Sequence, residues 1–470
     1  NKEGTEVFMK KFFKVCAAAT ALVMAAGCFA GCGKKDADAD GMTTVSIWSS
    51  AGHSKEVYEK MIEEYNKGQG KKDGVKLEFT YIASDSYSKS IELALQNGTA
   101  PDLMTAPDMA KNIEEGRLMA IDDLPGGDKF IEQYKDALVD RRTTWDGKTY
   151  RVPVAATTMG LAYNTDMFKK AGIVDENGNA KPPKTLDEMR EDAKKLTDAG
   201  KKQYGIIYPS KWAGAWADSD IIYPSATYGG HLDYDYLKGV FDFSQTKPFF
   251  ENMMGIIADG SCFPGRTGID NDMARAYFAE GNIGMKIAMS FDVGVWRDQF
   301  PAKCNWEVAP LPVVDENNAY RQRLYYEYSF VINAKSADRV SGEKLMNVFD
   351  YFTGKDAAVE LYKQGISIPY NSDWVKDVKI DDSLKQWKQF VDMLDISIDF
   401  PGWPGRDSSG GTKSFYDITE EILGGQKTVD EGIAEYNKIA NDASARYYQD
   451  HPNPPKKPEE YIIPDWNPSR

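Results

Sequence analysis

The sequence predicts an α/β protein built on a parallel sheet. Three observations carry that prediction. Apolar and polar residues alternate over 44–48 and again over 75–81, and a third short run follows at Asp102-Leu103-Met104-Thr105. Helical spacing fills the intervals. Val57, Met61, Ile62 and Tyr65 share one side of residues 55–66, and residues 87–96 close at Asn97-Gly98. Strand and helix therefore alternate, which implies parallel pairing. Parallel sheets bind ligands at the carboxyl ends of their strands. Those ends carry Trp48-Ser49-Ser50, Ala83-Ser84-Asp85 and Pro107-Asp108.

The remaining elements follow in order. Trp145-Asp146-Gly147-Lys148 is a wet turn that feeds an edge strand. Residues 155–163 begin an apolar strand region, and 166–172 form a short helix with a glycine stop. Pro182-Pro183 marks a loop, and 186–199 an amphipathic helix. Gly205-Ile206-Ile207-Tyr208 is a strand that runs toward Trp212 and Trp216. Residues 278–287 give helix, turn and strand, and 328–333 another strand. Helices follow around Leu345 and Leu361, then at 416–423 and 429–448. The prolines after His451 forbid a helix, so 451–470 is an extended strap.

Composition narrows the function. The net charge is −15, which excludes a phosphate-binding footprint and hence nucleic acid. It also argues against direct adhesion to anionic lipid. Met9-Lys10-Lys11-Phe12-Phe13-Lys14 precedes an apolar run over 15–26 and a small-residue exit, the pattern of a secretory signal. Ala25-Ala26-Gly27-Cys28 and Phe29-Ala30-Gly31-Cys32 each resemble the lipobox of bacterial lipoproteins, so Cys32 (or Cys28) is the expected lipidation site. Residues 1–32 are thus read as a start-site extension plus signal, and 33–42 as a tether. The body, roughly 435 residues, has room for about two or three domains. Cys262 and Cys304 are its only cysteines; they can pair outside the cell but are read as free thiols by default, and three scattered histidines argue against a His-rich metal centre.

Several segments, in order, resemble the extracellular solute-binding proteins of ABC importers, the family that includes maltose-binding protein. They are residues 115–124, 145–153, 161–173 (Leu-Ala-Tyr-Asn-Thr-Asp-Met-Phe-Lys-Lys-Ala-Gly-Ile), 278–285 with Trp296, Pro310-Leu311-Pro312, 331–337 and 425–432. The resemblance implies a two-lobed, type II periplasmic-binding-protein-like fold, each lobe a mostly parallel sheet flanked by helices. It places lobe 1 at 43–152 and 310–352, and lobe 2 at 153–309 and 353–450. Crossings are expected near 152–156, 308–312 and 351–355. The implied activity is hinge closure around an oligosaccharide and its delivery to ABC permease subunits, by a lipid-anchored monomer on the outer face of the bacterial membrane.

A sugar needs aromatic plates for its ring faces and planar polar groups for its hydroxyls. The candidates are Trp48, Ser49, Asp85 and Asp108 at strand ends, Trp212 and Trp216, Asp292 and Trp296, and Trp403 with Arg406 in a proline-rich loop. Arg406 has the fork for hydroxyls or an acidic sugar. Tyr223, Tyr326 and Glu327 rank below them. No catalytic residue, cofactor or metal is called for. Gly-x-Ser-x-Gly and the phosphate-loop pattern are both absent. A glycoside hydrolase, which needs two facing carboxylates, and a sensor or adhesin without transport are the competing readings.

Overall fold

The computed structural model describes residues 41–212, 215–406, 413–452, 454 and 456–469, with the side chains of Ser84 and Asp85 excepted. The expected signal, Cys28, Cys32 and most of the tether lie outside the described residues. Among the described residues no helix is long and apolar enough to cross a membrane.

The chain first builds β1 (Thr43–Ser49), β2 (Val75–Tyr81), β3 (Leu103–Met104) and β4 (Leu118–Met119). It then crosses through β5 (Pro153–Thr157) into β6 (Met159–Asn164), β7 (Tyr204–Ile206), β8 (Ile283–Met289) and β9 (Trp306–Ala309). It returns along β10 (Tyr325–Tyr328) to β11 (Val331–Asn333), then leaves again to place β12 (Ile368–Pro369). Three sheets result, in the orders β2-β1-β3-β11-β4, β9-β6-β8-β7 and β10-β5-β12. The first two are the lobe sheets; the third is the crossover between them.

Alternation in β1 turns Val45 and Ile47 inward, where they meet Leu77, Leu103 and Ile332 and the helix residues Tyr65, Leu345 and Phe349. In β6 the same period splits neighbours between two cores. Leu161 and Tyr163 join Phe168, Ile206, Phe250 and Met285. Ala162 joins Phe278, Trp296, Trp306 and Trp387. The second sheet is therefore covered on both faces.

A buried carboxylate ties the first lobe together. Asp102 is 3% exposed and accepts hydrogen bonds from Ser46 N (2.8 Å), Ser46 Oγ (3.0 Å) and Ser336 Oγ (2.7 Å), beside the Arg339 guanidinium. It thus links β1 and β3 to the segment after β11. Asp102→Ala should lower unfolding stability by roughly 2–4 kcal/mol, because it strands several donors and a charge. Urea denaturation measures this; an unchanged midpoint would reject the role.

Three expectations need correction. The second-lobe sheet is mixed, not mostly parallel: β6 runs antiparallel to both β8 and β9. The chain enters β6 straight from the crossover strand, without the helix that a parallel connection requires. The second crossing is not at 308–312. Leu186 N donates to Val313 O, and Gln322 Nε2 to Met159 O, so residues 310–324 still pack on the second lobe. The crossing is β10, which pairs antiparallel with β5. Finally, the strap is more than extended chain. It holds a short 3₁₀ turn, Pro458–Tyr461, and docks Trp466 with Nε1 on Gly230 O at 2.7 Å.

The first crossing is β5. The third lies near Gly354, between helix Gly342–Thr353, which feeds the first core, and helix Lys355–Lys363, which feeds the second. Cys262 and Cys304 are unpaired. Burial pushes their thiols up, to about 12 and about 11, so neither is a nucleophile at neutral pH.

Candidate functional site

The two lobe sheets present their strand ends to each other across the crossover strands. At the first-lobe end, Trp48 is half-buried and packs beside Tyr87, Met104 and Trp145. Ser49 is fully buried. Its Oγ accepts from Ala51 N at 3.1 Å and shapes the turn that carries His53. Asp108 is exposed and caps helix Met109–Glu114 by accepting from Lys111 N, so its carboxylate has a structural task. Asp85 is the second residue of helix Ser84–Asn97; its side chain lies outside the described ones.

His53 joins the lobes. Its ring stacks on Phe291, from the loop after β8, with centroids 4.0 Å apart and planes within 16°. Its Nε2 lies 3.1 Å from Glu327 Oε1 on the crossover strand β10. Burial raises the Glu327 carboxyl, but the His53 charge and the Thr157 hydroxyl outweigh it and leave the net shift downward. Gln299 of the second lobe donates to the carbonyls of Gly52 and His53, both at 3.2 Å. Arg142 of the first lobe pairs with Asp399 at 2.7 Å and donates to Phe400 O. Away from these polar contacts, Trp374 packs against both the first-lobe core and a second-lobe core, with Tyr134 at 5.7 Å.

Second-lobe residues divide into two groups. Trp216, Trp296 and Asp292 are sealed in. Trp216 is wholly buried in the lobe core. Trp296 lies between Phe278 (4.6 Å) and Trp306 (4.7 Å), and its Nε1 donates to Arg275 O. Asp292 is ion-paired to Arg275 at 2.6 Å. None of the three offers a free face for a ligand in this structure. The reason is register: Trp216 sits in a short helical turn, and Trp296 lies about one turn into the helical segment that follows β8, so each points back toward its core.

The other group stays half-exposed. Trp212 lies on the lobe surface over the core, as does Trp403. Arg406 pairs with Asp233 at 3.1 Å and covers the Phe241 ring. Arg323 stacks 4.0 Å from the Tyr223 ring centroid and 5.3 Å from that of Tyr325. Arg151, next to β5, lies 4.2 Å from the Tyr328 centroid and gives Nε to Arg142 O. Neither Arg323 nor Arg151 has a salt-bridge partner among the described residues. Tyr326 faces Tyr370 in an edge contact and belongs to the crossover packing.

Asp218 lies in the same neighbourhood. Burial pushes its carboxyl up to about 6; Arg323 and Arg406 oppose the rise and Asp233 adds to it. The raised value has a stability consequence. The folded form holds its proton more tightly than the unfolded chain, so stability falls as pH rises from about 4 to about 6. Asp218→Asn should therefore raise the melting temperature at pH 7.5, and the gain should vanish near pH 4. A melting series across that range checks it; a loss at pH 7.5 would contradict it.

His53, Phe291, Asp218, Arg323 and Arg151 were not singled out in the sequence. Phe291 neighbours Asp292 and His53 follows the first strand end, so strand-end reasoning had the signal for both. Arg323 and Arg151 flank crossings, and the misplaced second crossing hid Arg323.

A pair of lobes joined by crossover strands, with flat rings and guanidinium groups around them, defines a ligand-binding protein. The chain belongs to the bacterial extracellular solute-binding protein family, whose model matches residues 51–359. That family and fold are of binding proteins rather than enzymes, act outside the cytoplasmic membrane, and serve ABC transporter permeases. A putative binding protein of Brucella abortus is 23% identical over 397 residues, 82% of this chain and 88% of the relative. The maltotriose-binding protein of Pyrococcus abyssi is 28% identical over 260 residues, 53% of this chain and 50% of the relative. Among solved structures, an ABC transporter solute-binding protein of Thermotoga lettingae bound with α-D-tagatose has a TM-score of 0.65 at 19% identity, over 86% of this chain and 99% of that one.

Proposed function

We propose that this protein traps a carbohydrate, an oligosaccharide, between its lobes and hands it unaltered to ABC permease subunits, as a monomer held to the outer face of the cytoplasmic membrane through lipid on Cys32 (or Cys28). The observation that supports it most is the stack of His53 on Phe291, which joins a ring after the first strand to one from the second lobe; Trp48, Trp212 and Trp403 are further half-buried rings. Flat rings at stacking distance across a hinge suit a sugar ring, which enters by displacing one partner. Arg323, Arg151, Arg406 and Asp218 then supply planar donors and an acceptor for hydroxyls. The maltotriose-binding relative adds support for the ligand class.

Calorimetric titration of the full chain with malto-, xylo- and chito-oligosaccharides and raffinose, followed by chromatography of the sugars, tests this. Saturable binding with unchanged sugars is the expected result. Cleaved products would favour the hydrolase reading, and no binding to any of these sugars contradicts the proposal.

A further inference from the structure

We propose that the second lobe carries a site for a first-row transition dication such as zinc, formed by His231, Asp235 and Asp242. One ring nitrogen of His231 and one carboxylate oxygen from each aspartate lie within 4.8 Å of one another. Asp235 ends one strand of the hairpin Tyr234–Asp235 and Val240–Phe241, Asp242 follows the other, and His231 precedes both. The sequence spacing gave no metal signature, because the hairpin does the gathering.

The second observation is the state of His231. The residue is 8% exposed, and its Nδ1 is sealed from solvent with no hydrogen-bond partner among the described residues. A buried polar atom left unmade carries a cost.

The carboxylates are already oriented. Asp235 Oδ1 accepts from Leu237 N and Lys238 N, and Asp242 Oδ1 from Ser244 N and, at 3.4 Å, from Asn437 Nδ2. These bonds fix each group by one oxygen, as outer-shell partners of metal ligands do. Each Oδ2 faces one group, the ammonium of Lys238, at 2.8 Å from Asp235 and 3.4 Å from Asp242. One ammonium opposes two carboxylates and gives His231 nothing. Its side chain is 65% exposed, so it leaves readily. A dication balances both charges and takes the imidazole lone pair. Nitrogen and carboxylate donors select zinc and its neighbours over calcium. Tetrahedral bonds place ligand atoms about 3.4 Å apart, so the cluster contracts by about 1 Å as Lys238 swings out. The ion would pin a hairpin whose neighbour Asp233 holds Arg406, and so stiffen one wall of the cleft.

The test uses the full chain, stripped with chelator, dialysed against zinc chloride and assayed by elemental analysis and thermal melting. We expect one zinc per chain and a higher melting temperature. Lys238→Met, which removes the competing cation, should tighten zinc about tenfold; His231→Gln and Asp242→Asn should weaken it by about a hundredfold while keeping the native circular dichroism. No retained zinc overturns the proposal. So does zinc that persists in His231→Gln, which would be adventitious surface binding, or weaker zinc in Lys238→Met.

Discussion

Asp292→Ala should destabilise the protein by roughly 3–5 kcal/mol, the cost of stranding a buried charge. Asp292 is 2% exposed, and Arg275, its partner, 5%. Arg275 Nε donates to Oδ1 at 2.8 Å, and Met289 N to Oδ2 at 3.0 Å. Lys286 is buried nearby, its own pKa lowered chiefly by burial. Without Asp292, the two buried cations keep Asp272, which is 58% exposed, and, for Lys286, the charge of Asp220. The pH dependence has a definite sign. Burial raises the Asp292 carboxyl, but Arg275 and Lys286 outweigh it and leave it below its ordinary 3.8. A depressed folded pKa contributes stability above 3.8 that is lost as pH falls through the folded value. The difference in melting temperature between the wild type and Asp292→Asn should therefore be full at pH 7 and shrink below about pH 4. A constant difference down to pH 2.5 would contradict the ion-pair account. Phe291 is the adjacent residue, so the same change should also loosen the stacking platform.

The second large effect concerns capture. Trp212→Ala and Phe291→Ala should each weaken sugar binding by ~1–3 kcal/mol, the range of lost aromatic contacts at an interface. Neither residue is fully buried, so the fold should survive both changes. Trp216→Ala makes the contrast. Trp216 is wholly buried, and truncating it should cost ~3–5 kcal/mol of stability instead. Calorimetry alongside denaturation separates the two. Unchanged affinity in both Trp212→Ala and Phe291→Ala would remove these plates from the site.

The contrast between Trp212 and Trp216 shows where sequence reading stops. The fold was legible because alternation and helical spacing are local. Residues 75–81 form a strand with the limits that their alternation gives, and the helix of 55–66 differs by one residue. The site was only half legible. A tryptophan near a strand end is equally able to face a cleft or its own core, and composition does not say which. Trp296 turned inward because Phe278 and Trp306 receive it. Arg323 reaches its place beside Tyr223 and Asp218 because residues 310–324 remain with the second lobe, a long-range outcome that Pro310-Leu311-Pro312 did not announce. Asp218 is marked by its burial beside Arg323 and Arg406, which only the folded chain creates.

Motion links these parts. The lobes touch through the His53–Phe291 stack, the Gln299 bonds and the Arg142–Asp399 pair, and Trp374 packs against the first-lobe core and a second-lobe core alike. A ligand that binds both walls can shift the balance toward closure. Small-angle X-ray scattering of the full chain, with and without a saturating oligosaccharide found by calorimetry, tests this most directly. The account predicts a smaller radius of gyration with sugar bound. An unchanged or larger radius at saturation would contradict it.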